Sequence, residues 1–317
     1  MRSAAREPCT ATTSCLTDRP FGNQHVKLSR AALAASIMTT GTLAAGGLVA
    51  PAIAAETTSV CSSGCAFTTI QDAVDAASAG DTVRVSGPLT VAGTTTVGKD
   101  VTVTGGPGAI VTQTANAITF LVSGAGATLA NLTITSDIAY AQEFVQIGAD
   151  DVTLSGNTIH GPEQPGPMSG WVTNRGIVTQ GSISGLSVTG NTLYSMRSGA
   201  YLNPNGTGAI AGNTVHDTKG DFLIDNANFT FRDSRSGNAS QPSEWGFVIF
   251  LNTDAERYPS VAALSAANND MTVLDRRTDE EYVVPTTAAD CKGSGWKNRN
   301  PEFRNQGQCI KFVNTGR

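Results

Sequence analysis

The chain has 317 residues and a net charge of −5, with 15% charged residues and 34 glycines. An acidic chain with no basic tract and no aromatic RNA-binding motif excludes nucleic acid as a partner. Charged residues fall well under the usual quarter, so small polar side chains must cover most of the surface, which suits a stack of short strands.

The first predicted element is an apolar run, Ala31 to Ala55, ending "PAIAA". Lys27 and Arg30 give it a positive flank and Ala52-Ile53-Ala54 a small-residue cleavage site, so residues 1–54 read as a secretory signal peptide. Within them Met1 to Gln24, long, polar and carrying Cys9 and Cys15, reads as a misassigned extension ahead of a start near Val26. Thr39, Thr40 and Gly41 break the apolar run and no stop-transfer segment follows, so the protein is expected to be extracellular with no permanent membrane span. Four cysteines remain beyond the signal. An even number in an exported chain favours disulfides, paired by proximity as Cys61 with Cys65 and Cys291 with Cys309. Zinc is the rival, but the two pairs lie at opposite ends of the chain, far from His160 and His216, so no metal site is expected.

"FTTIQDAVDAASAGDTV" opens the mature chain with a helix over Thr68 to Ala79, started by a Thr68–Gln71 capping box and ended by Gly80. Short β-branched runs follow: "TVRV", "TTTV", "VTVTG", "ITFLV", "FVQIG", "VTLSG", "IVTQG", "LSVTG" and "FLID". Between them one phrase recurs: "GNTIH" at Gly156, "GNTLYSMRSG" at Gly190 and "GNTVHDTKGD" at Gly212, with a relic, "ANLTI", at Ala130. A sandwich has no reason to repeat a phrase in this way. A solenoid coil does.

The cap helix, "GDTVRVSGPLTV" and the recurring Gly-Asn-Thr phrases resemble right-handed parallel β-helix proteins of the pectate-lyase-like superfamily, of exported bacterial type, over roughly Phe67 to Asp233. The resemblance implies an all-β solenoid of about six or seven coils at 55–235, with coils stacked about 4.8 Å apart. Asn157, Asn191 and Asn213 would then form an internal amide ladder, with Asn131 a fourth rung. Residues 236–290, where the phrase lapses, read as a C-terminal cap and 291–317 as a disulfide-bracketed tail. That tail resembles the C-terminal segments of exported proteins from high-GC Gram-positive bacteria.

Stacking also aligns rings (His160, Tyr194, His216) and then bases (Arg175, Arg197, Lys219). The bases form a natural track for carboxylate or sulfate groups, which makes an anionic polysaccharide the expected partner. The insertion "GPEQPGPMSGWVTN" adds Trp171 as a sugar platform and Glu163 as an acid. Polygalacturonase-like enzymes carry Asn-Thr-Asp, Asp-Asp, Gly-His-Gly and Arg-Ile-Lys in order; here only "NTD" at Asn252 occurs, and no Gly-x-Ser-x-Gly elbow supports a serine triad. Two function classes remain. One is non-catalytic binding of a glycan or surface partner, or a structural role in the envelope, with no cofactor. The alternative is a polysaccharide lyase acting on a uronate polymer by β-elimination, with Arg197 or Lys219 as base. Calcium would then be its cofactor, held by Asp150 and Asp151 or by Asp217, Asp221 and Asp225. Asp217 and Asp221 flank Lys219 and are expected either to bind ligand beside it or to neutralise it.

Overall fold

The computed structural model describes residues 55–139, 142–164, 173–237, 243–299 and 303–316. Residues 1–54, expected to be a signal peptide, and Trp171 lie outside the described residues. Three parallel faces wind as a right-handed solenoid of about eight coils, a little longer than the six or seven expected. The first face stacks eight strands from Thr57–Val60 to Asn228–Arg232. The second rises from Pro88–Val91 through Ile110–Gln113, Thr133–Ser136 and Thr158–His160. The third rises from Thr95–Val97 through Phe120–Val122, Glu143–Ile147 and Arg175–Thr179. Two long strands, Thr192–Leu202 and Thr214–Ile224, run across both the second and third faces and lie in register along their length. They are the two full copies of the repeated phrase.

Inward residues stack in columns. Val83, Val103, Leu129, Leu154, Val188, Ile210 and Phe231 line the first face; Val111, Ile134, Ile159, Leu193 and Val215 line the second. All are buried. Each such side chain contributes about 1.5–3 kcal/mol of burial, and the columns are what hold the coil spacing. The third face continues past residue 236 through Phe247–Ile249 and Val273–Asp275, and the antiparallel strand Glu280–Tyr282 closes it. There Phe222 stacks on Phe247 and Phe231 meets Phe247 edge-on, filling the upper core.

The corner between the first and second faces explains the repeated phrase. Gly156, Gly190 and Gly212 take φ of 63°, 63° and 64°, the left-handed conformation that glycine adopts without strain. The asparagine that follows each is buried. Asn157 N and Nδ2 both donate to Asn191 Oδ1 at 2.9 and 3.0 Å, and Asn191 N and Nδ2 repeat this on Asn213 Oδ1. Asn131 is not the fourth rung. Register places it level with Gly156, and it takes the left-handed corner itself at φ 55°, which asparagine tolerates; Leu132 occupies the rung and donates its N–H to Asn157 Oδ1. Above Asn213 the ladder runs on through Ser234 Oγ and Asn268 Oδ1, neither singled out in the sequence.

The cap helix spans Ile70–Ala76 and buries Ile70, Ala73 and Val74. In place of the expected Thr68–Gln71 capping box, Thr69 caps the helix: its Oγ1 accepts from Asp72 N and donates to Asp72 Oδ2, and Gln71 is used elsewhere. The Gln71 side chain accepts from Thr96 N at 2.7 Å and donates to Thr96 O at 3.3 Å, standing in for a neighbouring strand beneath the third face. The helix ends at Ala77, three residues before Gly80, where Lys99 Nζ donates to the carbonyls of Asp75 and Ala77. Disulfides join Cys61 to Cys65 and Cys291 to Cys309, as the spacing predicts.

Candidate functional site

Beyond the asparagine corner the two long strands present first rings and then bases, on either side of a second bend where Ser195 and Asp217 take φ of 56° and 49°. The rings stack. His160 and Tyr194 lie 4.7 Å apart and 5° from parallel, Tyr194 and His216 4.9 Å and 3°. Gly237 closes the upper face of His216; a Cβ there would lie 2.5 Å from the ring, so any other residue would have to displace it. Both faces of Tyr194 and of His216 and the upper face of His160 are therefore covered, so along the stack a ligand meets ring edges. His216 Nδ1 is 2.9 Å from Asp217 Oδ2, and His160 Nδ1 lies 3.2 Å from Thr135 Oγ1 and 3.0 Å from Gly161 O. Burial pushes the Tyr194 phenol up, so it stays a donor at neutral pH.

A groove of about 440 Å³ runs along these edges, walled by Glu163 and Gln164. Gln164 is fixed there by donating to Ser195 O and accepting from Thr173 Oγ1. Among the described residues the groove has carboxylates (Glu163, Asp217) and no lysine or arginine.

The bases line a different cleft. Lys219 lies directly above Arg197 on the third face, and with Glu244, Trp245, Phe250 and Arg276 they enclose about 200 Å³. Among the described residues three cations stand against one carboxylate, over a wall completed by Leu223, Val248 and Leu274. Arg175 does not belong to this column. Its partner in register is Ser198, one residue past Arg197, because the insertion shifts the phrase, and its guanidinium lies 3.7 Å from the buried carboxylate of Glu143. Trp245, Phe250, Glu244 and Arg276 were missed in the sequence, where "WGFVIFL" reads as a wholly buried strand. Its alternation, with Phe247 and Ile249 buried, carried the signal that Val248 and Phe250 face outward; the same count would turn Trp245 inward, and it escapes because it lies ahead of the strand Phe247–Ile249.

The acidic candidates disperse. Asp217 pairs with His216; Asp225 accepts from Tyr201 OH and Asn252 Nδ2; Asp150 Oδ1 accepts from Ser184 N. Asp221 is fully buried among hydroxyl groups, so it neither touches a ligand nor neutralises Lys219 at the surface. Among the described residues no three His, Cys, Asp or Glu side chains gather to hold a metal ion, and no helix is long and apolar enough to cross a membrane.

The family described as right handed beta helix region matches residues 90–257, just over half of the chain. The chain belongs to this family. The match covers both long strands, the ring stack and Trp245, but it ends before Arg276. No curated protein and no solved structure matches the chain.

Proposed function

We propose that this right-handed β-helix protein is exported and binds an anionic glycan, without cleaving it, in the cleft between Arg197, Lys219, Arg276 and Trp245. The observation that carries the reading is the composition of that cleft: an excess of cations beside an aromatic and aliphatic wall. A uronate unit has the matching halves, a carboxylate for the guanidinium and ammonium groups and an apolar sugar face for the wall. Two disulfides suit an oxidising compartment. β-Elimination is the poorer reading. The carboxylates expected to gather calcium are dispersed: Asp217 pairs with His216, Asp225 accepts from Tyr201, Asp221 lies in a buried hydroxyl cage and Asp150 accepts from Ser184 N.

The test is the affinity of Arg197→Ala for a linear polyuronate at two salt concentrations, with Arg84→Ala, an exposed cation on the first face, as control. Losing one charge-assisted contact should weaken binding by about 1–3 kcal/mol and lower its salt dependence, while the melting temperature stays put. Unchanged, salt-insensitive binding by the Arg197 variant would refute the assignment, and an unsaturated product absorbing in the ultraviolet would replace binding by lyase activity.

A further inference from the structure

We propose that Asp221 is a positioning residue for this cleft: while protonated it holds the 243–245 segment against the solenoid, so that Trp245 and Glu244 stand beside Lys219, and its ionisation releases them. The part concerning ligand affinity rests on the glycan reading above; the part concerning the segment does not.

Asp221 sits on the strand Thr214–Ile224 with no exposed surface. In the two coils below, its place in register is taken by Gly199 and Gly176, where no side chain fits: a Cβ on Gly199 would lie 2.6 Å from Asp221 O and 2.7 Å from Val215. Above Asp221, the residues 236 and 243–245 pass over the carboxyl. Thr218 Oγ1 donates to Oδ1 at 2.8 Å and Ser236 Oγ to Oδ2 at 3.1 Å, and the Ser243 hydroxyl lies beside them, 3.3 Å from Thr218 Oγ1. The same segment is tied down by its backbone: Asp221 N donates to Trp245 O at 2.8 Å, Glu244 N to Thr218 O at 3.0 Å, and Thr218 N to Ser243 Oγ at 3.2 Å. The carboxyl and the cleft wall therefore share one short stretch of chain.

No cation among the described residues forms an ion pair with Asp221. On its own strand Asp217, paired with His216, adds repulsion, and Lys219 lines the cleft. Arg235, on the neighbouring strand, is exposed and donates to Thr214 Oγ1; on the overlying segment Glu244 is exposed in the cleft. Behind Ser236 and Ser243 a cavity of about 370 Å³ is edged by Asp270, Asp290 and Arg299. Among the described residues, an ionised Asp221 thus has hydroxyl groups alone to replace water. Burial pushes its carboxyl up to about 7, offset in part by those hydroxyl bonds and reinforced by Asp217. Opening the segment hydrates the charge.

The experiment compares the wild type with Asp221→Asn, which keeps the shape and stays neutral, from about pH 5.5 to about pH 8.5 at fixed ionic strength. Two quantities are read: affinity for a linear polyuronate, and Trp245 emission without ligand, in a background where Trp171 and Trp296 are replaced by Phe. With full coupling the wild-type affinity falls about tenfold per pH unit above the midpoint and Trp245 emission shifts with that midpoint, while the Asn variant is flat in both. Ser236→Ala removes a bond that favours the ionised carboxyl, so it should move the midpoint to higher pH; this variant decides the matter if Asp221→Asn fails to fold. A pH-independent wild-type emission, or an Asn variant that keeps the wild-type profile, overturns the proposal. Trp245 emission that titrates in the wild type but not in the variant, with no polyuronate binding at any pH, would retain the positioning role and reject the glycan.

Discussion

Asn191→Ala removes the central rung of the amide ladder, and its cost can be worked from the partners left behind. Asn191 Oδ1 accepts from Asn157 N and Asn157 Nδ2, and its Nδ2 donates to Leu154 O, Thr189 O and Asn213 Oδ1. Some partners keep another bond. Asn157 Nδ2 still donates to Leu129 O, Thr189 O still accepts from Gly156 N, and Asn213 Oδ1 still accepts from Asn191 N. Asn157 N, in a residue 1% exposed, loses its acceptor, and Leu154 O loses its amide donor. Unsatisfied buried groups cost about 1–3 kcal/mol each, which places the loss near 3 kcal/mol once the carbonyl's second lone pair is allowed for. Ser234→Ala, at the upper part of the same ladder, removes only long bonds of 3.4 and 3.5 Å and should cost about 1 kcal/mol or less. Urea unfolding of both variants, with hydrogen exchange at the Asn157 amide, measures the difference. A loss under about 0.5 kcal/mol for Asn191→Ala, or equal losses for the two, would refute the reasoning that cooperation between rungs holds the corner.

Arg175→Ala should lower stability by about 1 kcal/mol, since Glu143 keeps a buried carboxylate while Arg175 is itself 34% exposed and screened; polyuronate affinity should not change, and a loss of affinity would return Arg175 to the binding track. Tyr194→Ala breaks two ring stacks and should cost about 1–3 kcal/mol in thermal unfolding beyond the area it buries; a variant as stable as Tyr194→Phe would show the stack to be incidental. Asp221 should make stability fall as pH rises. Its folded carboxyl binds a proton more tightly than the ordinary value of 3.8, so its contribution to stability is fully present below about pH 4 and is lost up to about pH 7, by at most about 4 kcal/mol at about 1.4 kcal/mol per unit. Chemical denaturation of Asp221→Asn should lack that fall, and an identical slope in both proteins would contradict it.

The fold was legible because the repeated phrase is one corner of one coil, and its first four residues mean conformation: glycine for the left-handed corner, asparagine for the rung, then a strand. The same grammar explains the misplaced Asn131. Where alanine replaces glycine, in "AN", the asparagine moves into the left-handed corner and the next residue becomes the rung; "RDS" does likewise with Asp233 at φ 56° and Ser234. The site was legible only in part. Arg197 and Lys219 fall one above the other because their coils have equal length, whereas the insertion before Arg175 displaces it by a residue. Alternation alone would put Asp217, Lys219 and Asp221 on one side of a strand; the left-handed bend at Asp217 and the overlying segment separate their fates, and neither is written in the spacing.

The Gln71 side chain has a consequence for assembly. A solenoid ends in open backbone, and the lowest strand of the third face would otherwise offer Thr96 N and O to the top of another molecule. Contacts of that head-to-tail kind do not close on themselves and propagate into fibres. The amide of Gln71 occupies both groups, and at the other end the antiparallel strand Glu280–Tyr282 faces the wrong way to continue a parallel stack. The third face is thus closed to a parallel neighbour at both ends, and a leucine at position 71 would leave Thr96 N and O open to one.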